Sequence, residues 1–313
     1  MKYTTTRDDF GVPAVVDRVG RPGNRRAYQF GLSQVMTVVE PTRIGESSAR
    51  MLSDRASRYA FLGVSALILA ASAAGTIGWC ASMSAMGKMS MPGGWTMSMV
   101  WMRMPGQTWP AAGASFMGMW VVMMVAMMLP CLVPMLWRYR QALAHTGKRR
   151  LGPLTALVGV GYFFVWTVLG MIAYPTGVAL AAVEMQQAAL ANAVPIAAGV
   201  VVLIAGGLQF TAWKARQLAC CRAAPGRGCP LPADAGTAWR CGLRLGLHCS
   251  SCCATLTAIL LVVGVMDLRV MAFVTAATAF ERLAPTGERV ARATGALVVA
   301  SGMWLIAQGA GLV

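Results

Sequence analysis

The chain has 313 residues, of which 57% are hydrophobic and 12% are charged, about half of the ~25% charged content of a soluble domain. This composition excludes an ordinary water-soluble globular protein. Uncharged gaps of 29, 34, 33, 29 and 22 residues separate successive charged side chains, and each gap exceeds the ~20 residues that span a hydrocarbon core. The sequence therefore predicts an all-α fold, a polytopic transmembrane helical bundle.

The formal net charge of +16 would favour nucleic acid as a partner if the chain were soluble. Here the basic residues lie between apolar segments and form no single basic face, so we interpret them as signals of membrane topology. We therefore expect the lipid bilayer to be the main partner, and we expect no nucleic-acid binding.

Residues 1–58 form a polar, Arg-rich and unpatterned segment with too few apolar side chains to offset the entropy lost on ordering. We predict that this N-terminal segment is disordered and cytoplasmic. The run MLSDRASRYAFLG at Met51 resembles an ordinary start of a bacterial inner-membrane protein. We therefore also hypothesise that translation begins at Met51.

Seven apolar segments follow in the membrane domain, residues 59–313, and we interpret each as a helix because open sheet edges cannot face lipid. The segments are 59–81, 113–137, 154–182, 194–213, 243–265, 268–283 and 292–312. The sixth is the weakest, since only 11 uncharged residues separate Arg269 from Glu281. It has to place charges at its ends or enter the bilayer only partway, so we expect seven spans, with six as the alternative.

The basic loops set the orientation of these segments, because Lys and Arg in loops favour the cytoplasmic side. If seven helices alternate, the three most basic stretches fall on one side: 138–150, 214–244 and 282–292. We predict a multi-pass protein of the bacterial inner membrane with a cytoplasmic N-terminus. Residues 82–112 then form a segment on the outer side.

Methionines are concentrated in one part of the chain, where 15 of the 23 lie between Met83 and Met135. Eight fall in the outer segment with MxxM and MxM spacing: Met83, Met86, Met89, Met91, Met97, Met99, Met102 and Met104. Thioethers are soft, neutral ligands that select Cu(I) over harder divalent ions. The segment predicts copper capture, unless its methionines are flexible filler at the membrane surface.

The second apolar segment continues the sulfur pattern in the run MGMWVVMMVAMMLPCLVPM. At ~100° per residue, seven of its side chains share an arc of roughly 100°: Met117, Trp120, Met124, Met127, Met128, Cys131 and Met135. Met119 and Met123 fall off this arc. The stripe is either a ladder of metal ligands or an ordinary packing face of a helix.

The fifth apolar segment holds the strongest candidate metal site, formed by His248, Cys249, Cys252 and Cys253. On a helix these four side chains share one side, spread over about 140°. The two thiolates of a CxxC can meet one metal ion, and the imidazole supplies a third, neutral donor. Because side chains of one helix fan outward, the site needs a donor from another helix, and Cys131 is our candidate.

Other interpretations of the cysteines stay open. Free Cys is often buried as a small hydrophobe, and a CxxC can be a redox pair. Three further cysteines lie in a basic inner loop, where Cys221 is a candidate to hold or relay metal: Cys220, Cys221 and Cys229. Thiols on the cytoplasmic side are expected to stay reduced.

Polar side chains inside or at the edges of apolar segments are costly enough to indicate a use. Gln209, Tyr162, Asp267 and Glu281 are of this kind. We expect Gln209 to hydrogen-bond between helices. Glu281 is expected to pair with Arg282 or Arg269, or to serve a proton or metal path.

Six short motifs cover most of residues 60–312. They are WVVMMVAMMLPC at 120–131, GYFFVW at 161–166, AGGLQFTAWK at 205–214, GLHCSSCCA at 246–254, GVMDLRVMAF at 264–273 and ERLAPTG at 281–287. In combination they resemble the bacterial predicted metal-binding integral membrane proteins, the family of domain of unknown function 2182. The chain departs from the family's usual residues at Ser251, Ala254, Leu208 and Gln217. The resemblance implies metal binding in a membrane, without a settled transport or catalytic activity.

These features together predict an integral inner-membrane metal-binding protein that acquires, transfers or stores Cu(I), with zinc as the other possible metal. We expect a carrier and not an enzyme, and a periplasmic or cytoplasmic protein that donates or accepts the metal as a further partner. One alternative is a membrane oxidoreductase or a metalloenzyme maturation factor that uses the CxxC pair. Another is a zinc-stabilised membrane scaffold.

Overall fold

The computed structural model describes residues 41–85, 89–90, 96–97, 99–103, 106–144, 151–223 and 234–312. The chain divides into two units, Met1–Ala60 and Phe61–Val313, and the candidate site lies entirely in the second. The disorder predicted for residues 1–58 falls, for residues 1–40, outside the part of the chain that the structure describes. The hypothesis that translation begins at Met51 stays a prediction. Residues 41–58 are helical, because the helix of the first apolar segment begins as early as Pro41.

Eight α-helices run through the described residues. They are α1 Pro41–Ala85, α2 Trp109–Ala144, α3 Leu151–Gln186, α4 Ala188–Leu208, α5 Ala212–Ala223, α6 Ala235–Val263, α7 Leu268–Leu283 and α8 Gly287–Gly309. Between α1 and α2, two-residue strands β1 (Met89–Ser90) and β2 (Thr96–Met97) pair antiparallel, followed by a 3-10 turn at Met99–Trp101. The predicted all-α helical bundle is confirmed.

Six helices are long and apolar enough to cross a membrane: Arg55–Ala85 of α1, α2, α3, Ala189–Leu208 of α4, α6 and α8. Large apolar side chains on their outer surfaces remain exposed, including Leu67, Met171, Ile204 and Leu297. Apolar surface of this extent marks contact with lipid. The chain is therefore a multi-pass membrane protein by the length, composition and surface of its helices.

Helix α7 is the weak sixth segment of the sequence, and it is too short to count among the spanning helices. Its 16 residues extend for about 24 Å at 1.5 Å per residue, less than a ~30 Å hydrocarbon core. Asp267 caps its start by accepting hydrogen bonds from Arg269 N at 2.8 Å and Val270 N at 3.3 Å. From there α7 returns antiparallel along α6 and ends with Glu281 and Arg282 buried inside the bundle.

Close backbone contacts at glycines set the directions of the other helices. A Cβ on Gly161 of α3 would lie 3.2 Å from Gly242 Cα of α6, and one on Gly246 would lie 2.9 Å from Tyr162 O, so α3 and α6 run parallel. Small residues allow such approach between membrane helices. This contact brings the middle of α6 against α3 and so positions the cysteines of α6.

Helices α4 and α8 pack antiparallel along a second series of glycines, which we call the α4–α8 seam. It consists of Gly199, Gly206, Gly295, Gly302 and Gly309. A Cβ on Gly199 would lie 3.1 Å from Gly302 O, and one on Gly302 would lie 3.0 Å from Gly199 O. The two backbones therefore touch, and α8 runs back along α4 over most of its length.

Candidate metal centre

Helix α6 places three of the predicted cysteines in the interior of the bundle. Cys249, Cys252 and Cys253 are each at most 1% exposed, and the 100° step of the helix keeps them on its packed side. The side chain of His248 is exposed, so the imidazole expected as a neutral donor does not reach the thiols. The side of α6 that packs against other helices therefore includes Cys249, Cys252 and Cys253, whereas His248 lies at the exposed edge of the predicted arc.

Two thiols and a thioether approach one another around Cys249. Its Sγ lies 3.9 Å from Cys253 Sγ, one turn along α6, and 4.0 Å from Met128 Sδ on α2. All three side chains are fully enclosed by protein. We call Cys249, Cys253 and Met128 the sulfur site. Soft sulfur donors of this kind favour a soft metal ion over harder ones.

Two hydrogen bonds hold α2 and α3 in position for the sulfur site. Trp120 Nε1 donates to Trp166 O at 2.8 Å and ties α2 to α3. Tyr162 Oη, on α3, donates to Cys249 Sγ at 2.8 Å. The polar group that the sequence shows inside the apolar GYFFVW motif therefore faces the sulfur site.

Three ionisable side chains from α5 and α7 are buried beside the sulfur site. Lys214 Nζ lies 2.8 Å from Glu281 Oε2 and donates to Cys252 O at 2.8 Å. Arg282 Nη1 donates to Cys249 Sγ at 3.0 Å. Glu281 thus pairs with Lys214 of α5, where the sequence suggests Arg282 or Arg269. Charges in such an enclosed place are costly unless they are paired or bonded.

Cys252 faces α5 and forms a second thiol contact. Its thiol lies within hydrogen-bonding reach of those of Cys221 and Cys253, and Cys221 Sγ donates to His248 O at 3.4 Å. The hydrogen bond with Cys252, together with burial, raises the pKa of the Cys221 thiol well above its usual value. Cys221 is therefore a buried neighbour of the α6 cysteines, whereas the adjacent Cys220 is exposed.

Cys131, the expected donor from a second helix, lies at the margin of the site. Its Sγ donates to Thr278 O at 3.8 Å, and it is within hydrogen-bonding reach of Arg282. Met128, one turn earlier on α2, is the side chain that contacts Cys249 directly. The structure thus brings α2 to the α6 cysteines. The thioether of Met128 contacts Cys249, whereas the thiol of Cys131 bonds to Thr278 O.

Buried methionines lie on more faces of α2 than the predicted stripe covers. Met124 and Met127 are enclosed, and Met117 is half-buried. Met119 and Met123, which fall off the predicted arc, are as deeply buried, because neighbouring helices cover α2 from several directions. In the outer segment the side chains of Met83 and Met102 are half-buried, and the other six methionine side chains lie outside what the structure describes.

Within the described ranges, no three His, Cys, Asp or Glu side chains already converge as ligands on one metal position. The sulfur site reaches three donors only because Met128 contributes a thioether. A structural Zn²⁺ site normally has four N, S or O ligands in tetrahedral geometry. The three sulfur donors of the sulfur site fit a soft metal ion.

Lys214 and Arg282 are parts of the site that the sequence interpretation missed. Both lie in basic stretches that we interpret there as signals of topology. The signal that could have found them is their position at the end of AGGLQFTAWK and inside ERLAPTG, next to long apolar runs. Charged residues adjoining the bundle interior usually face a functional site.

Two other cysteines take no part in the sulfur site, and one predicted hydrogen bond is not formed. Cys80 Sγ lies 3.9 Å from Met266 Sδ. Cys241 is disulfide-bonded. The side-chain amide of Gln209 is buried, and neither Oε1 nor Nε2 has a hydrogen-bond partner among the described residues. The predicted interhelical hydrogen bond is therefore wrong for that side chain.

The fold and the site define a class of protein, a multi-pass membrane helical bundle with an enclosed thiol and thioether centre. Residues 117–305 match the PpoB2 family, which is described as a copper chaperone. The match covers more than half of the chain, so the protein belongs to this copper chaperone family. The matched range includes the whole sulfur site, together with Lys214, Glu281 and Arg282. No curated protein and no solved structure matches the chain.

Proposed function

We propose that this protein is a membrane-embedded copper chaperone that binds Cu(I) as its cargo at the sulfur site. The observation that carries the proposal is the approach of Cys249 Sγ to Cys253 Sγ at 3.9 Å and to Met128 Sδ at 4.0 Å. Thiolate and thioether ligands select Cu(I). Cys249 contacts both of the other sulfurs and is therefore the central ligand of the proposed site.

The proposed route for the cargo runs from the outer methionine segment along α2 to the thiols. Met124 and Met128 are one helical turn apart, about 6 Å along the axis, and both are buried. Neutral thioethers bind without losing a proton, whereas thiols bind as thiolates and release one. Donor strength therefore increases along the route, which favours transfer toward Cys249 and Cys253 followed by storage or delivery.

The proposed placement is the bacterial inner membrane with a cytoplasmic N-terminus. It is supported by the six helices of spanning length and by the concentration of Lys and Arg in alternate loops. Cys249 lies midway along α6, because α6 begins at Ala235. Delivery to a protein on the cytoplasmic side, and membership among the proteins of domain of unknown function 2182, remain parts of this proposal.

The test is metal content by mass spectrometry on detergent-purified protein from cells supplied with copper and zinc. We expect about one tightly held copper per chain in the wild type, bound at the sulfur site. Cys249→Ser and Cys253→Ser should lose the copper. Cys220→Ser, which removes an exposed thiol, is the matched control and should keep it.

Other outcomes identify the alternatives. Tightly held zinc that depends on the α6 cysteines would support the zinc-stabilised scaffold. A protein without stoichiometric metal, but with a disulfide that forms and breaks reversibly, would support the oxidoreductase or maturation factor. Equal copper in the wild type and in both α6 variants would refute the sulfur site as the cargo site.

A further inference from the structure

The three charged side chains beside the sulfur site, Lys214, Glu281 and Arg282, together carry one net positive charge. Lys214 and Glu281 form an ion pair at 2.8 Å and together carry no net charge. Arg282 is buried next to them, and its Nη1 donates at 3.0 Å to Cys249 Sγ. The fixed positive charge of Arg282 is therefore directed at a sulfur atom of the sulfur site.

Cys249 Sγ accepts two hydrogen bonds at once. Tyr162 Oη donates to it at 2.8 Å and Arg282 Nη1 at 3.0 Å. Two donors on one sulfur, one of them a guanidinium, are an arrangement that stabilises negative charge on that atom. A guanidinium is always protonated and accepts no hydrogen bond, so it cannot adapt to a positively charged neighbour.

We propose that Arg282 is a specificity-determining residue, which selects monovalent soft ions at the sulfur site by neutralising the negative charge of their bis-thiolate complex. This inference rests on the proposed function. A monovalent ion bound by the Cys249 and Cys253 thiolates gives a complex with one net negative charge, which Arg282 neutralises. A divalent ion in the same two thiolates gives a neutral complex and leaves the buried charge of Arg282 uncompensated, which is unfavourable.

The selection acts through charge and not through a bond to the metal. Arg282 carries no lone pair for a metal ion, and its contact in the structure is with Cys249 Sγ. Met128 supplies a neutral sulfur and leaves the charge count unchanged. Cu(I) and Ag(I) are therefore favoured together over Zn(II), although all three bind thiolates.

The experiment measures affinities of detergent-purified, fully reduced protein for Cu(I), Ag(I) and Zn(II) by competition with chelators under anaerobic conditions. The variants are Arg282→Gln, which removes the charge, and Arg282→Lys, which keeps it. Arg292→Gln is the matched control, because Arg292 is an exposed arginine of the same chain. The readout is the ratio of Cu(I) affinity to Zn(II) affinity, which a merely structural role of Arg282 would not change.

We expect Arg282→Gln to lower the affinities for Cu(I) and Ag(I) by about 10- to 100-fold, the usual effect of losing an outer-shell partner, with Zn(II) affinity unchanged or higher. Arg282→Lys and Arg292→Gln should keep the wild-type ratio. An unchanged ratio in folded Arg282→Gln would overturn the inference.

If Arg282→Gln does not fold, Arg282→Lys decides, and loss of the Cu(I) preference in that variant would equally overturn the inference. Failure of the wild type to bind Cu(I) would instead refute the proposed function. That outcome is seen before any arginine variant is measured.

Discussion

Lys214 and Glu281 form a 2.8 Å ion pair in which the two side chains are 1% and 2% exposed. The pair joins α5 to α7, and Lys214 Nζ also donates to the carbonyl of Cys252 on α6. Removal of one partner of a buried pair leaves a buried charge without compensation. The pair therefore fixes three helices around the sulfur site.

Replacement of either partner alone should destabilise the protein strongly. We expect Lys214→Met and Glu281→Gln each to lower the free energy of unfolding by about 3–5 kcal/mol. The double variant should lose less than the sum, because no isolated charge remains. Unfolding of the purified protein in a denaturing detergent series measures all three. Additive losses would show that the two side chains do not depend on each other.

The α4–α8 seam predicts opposite behaviour for two adjacent glycines. A Cβ on Gly206 would lie 2.9 Å from Val299 N, whereas one on Gly207 would meet nothing within 4 Å. Gly206→Ala should therefore cost about 1–3 kcal/mol through overpacking. Gly207→Ala should leave the melting temperature in detergent unchanged or raise it. Equal effects of both would contradict the close packing of the seam.

Met128 should matter for copper more than for stability. Leucine conserves the volume of methionine, so Met128→Leu should cost less than about 1.5 kcal/mol while it removes the thioether 4.0 Å from Cys249 Sγ. We expect weaker Cu(I) binding in chelator competition. Met119→Leu is the control, since Met119 is also a buried methionine of α2 and should bind Cu(I) as the wild type does. Identical affinities of the two variants would remove Met128 from the ligand set.

Cys220 and Cys221 should differ in reactivity although they are adjacent. Cys220 is exposed, and Cys221 is buried with a pKa raised by its hydrogen bond with Cys252 and by burial. The thiolate is the reactive species, so Cys221 should label slowly with a maleimide even at about pH 9, above the usual thiol pKa of ~8.5. Cys220→Ser should remove a fast labelling phase that Cys221→Ser retains. Fast labelling of Cys221 in Cys220→Ser would contradict the structure.

The periodicity of the sequence goes far toward the site, because its main side chains follow from helix geometry alone. Cys249, Cys252 and Cys253 share a face at any rotation of α6 about its axis. The rotation itself depends on the neighbouring helices. The observed rotation leaves His248 exposed. On α2, neighbouring helices cover several faces, so Met119 and Met123 are buried although they fall off the predicted stripe.

Tertiary contacts explain what the sequence could not supply. The partner of Glu281 is Lys214, 67 positions earlier, and only the packing of α5 against α7 brings the two together. Arg282 directly follows Glu281, and two adjacent charged residues indicate a loop when only the sequence is known. In the structure both are buried, because α7 ends inside the bundle. Length has the same kind of effect, since α7 is helical as predicted but, at 16 residues, is shorter than the six helices of spanning length.

The glycines of α4 and α8 have a consequence for how an ion can move through this protein. Many secondary transporters expose a central site to each side in turn by rocking one half of the molecule against the other. Helices that touch backbone to backbone at Gly199 and Gly302 would have to lose that contact to rock apart. We therefore expect α4 and α8 to move together as one unit in any change of shape that lets an ion reach or leave the sulfur site.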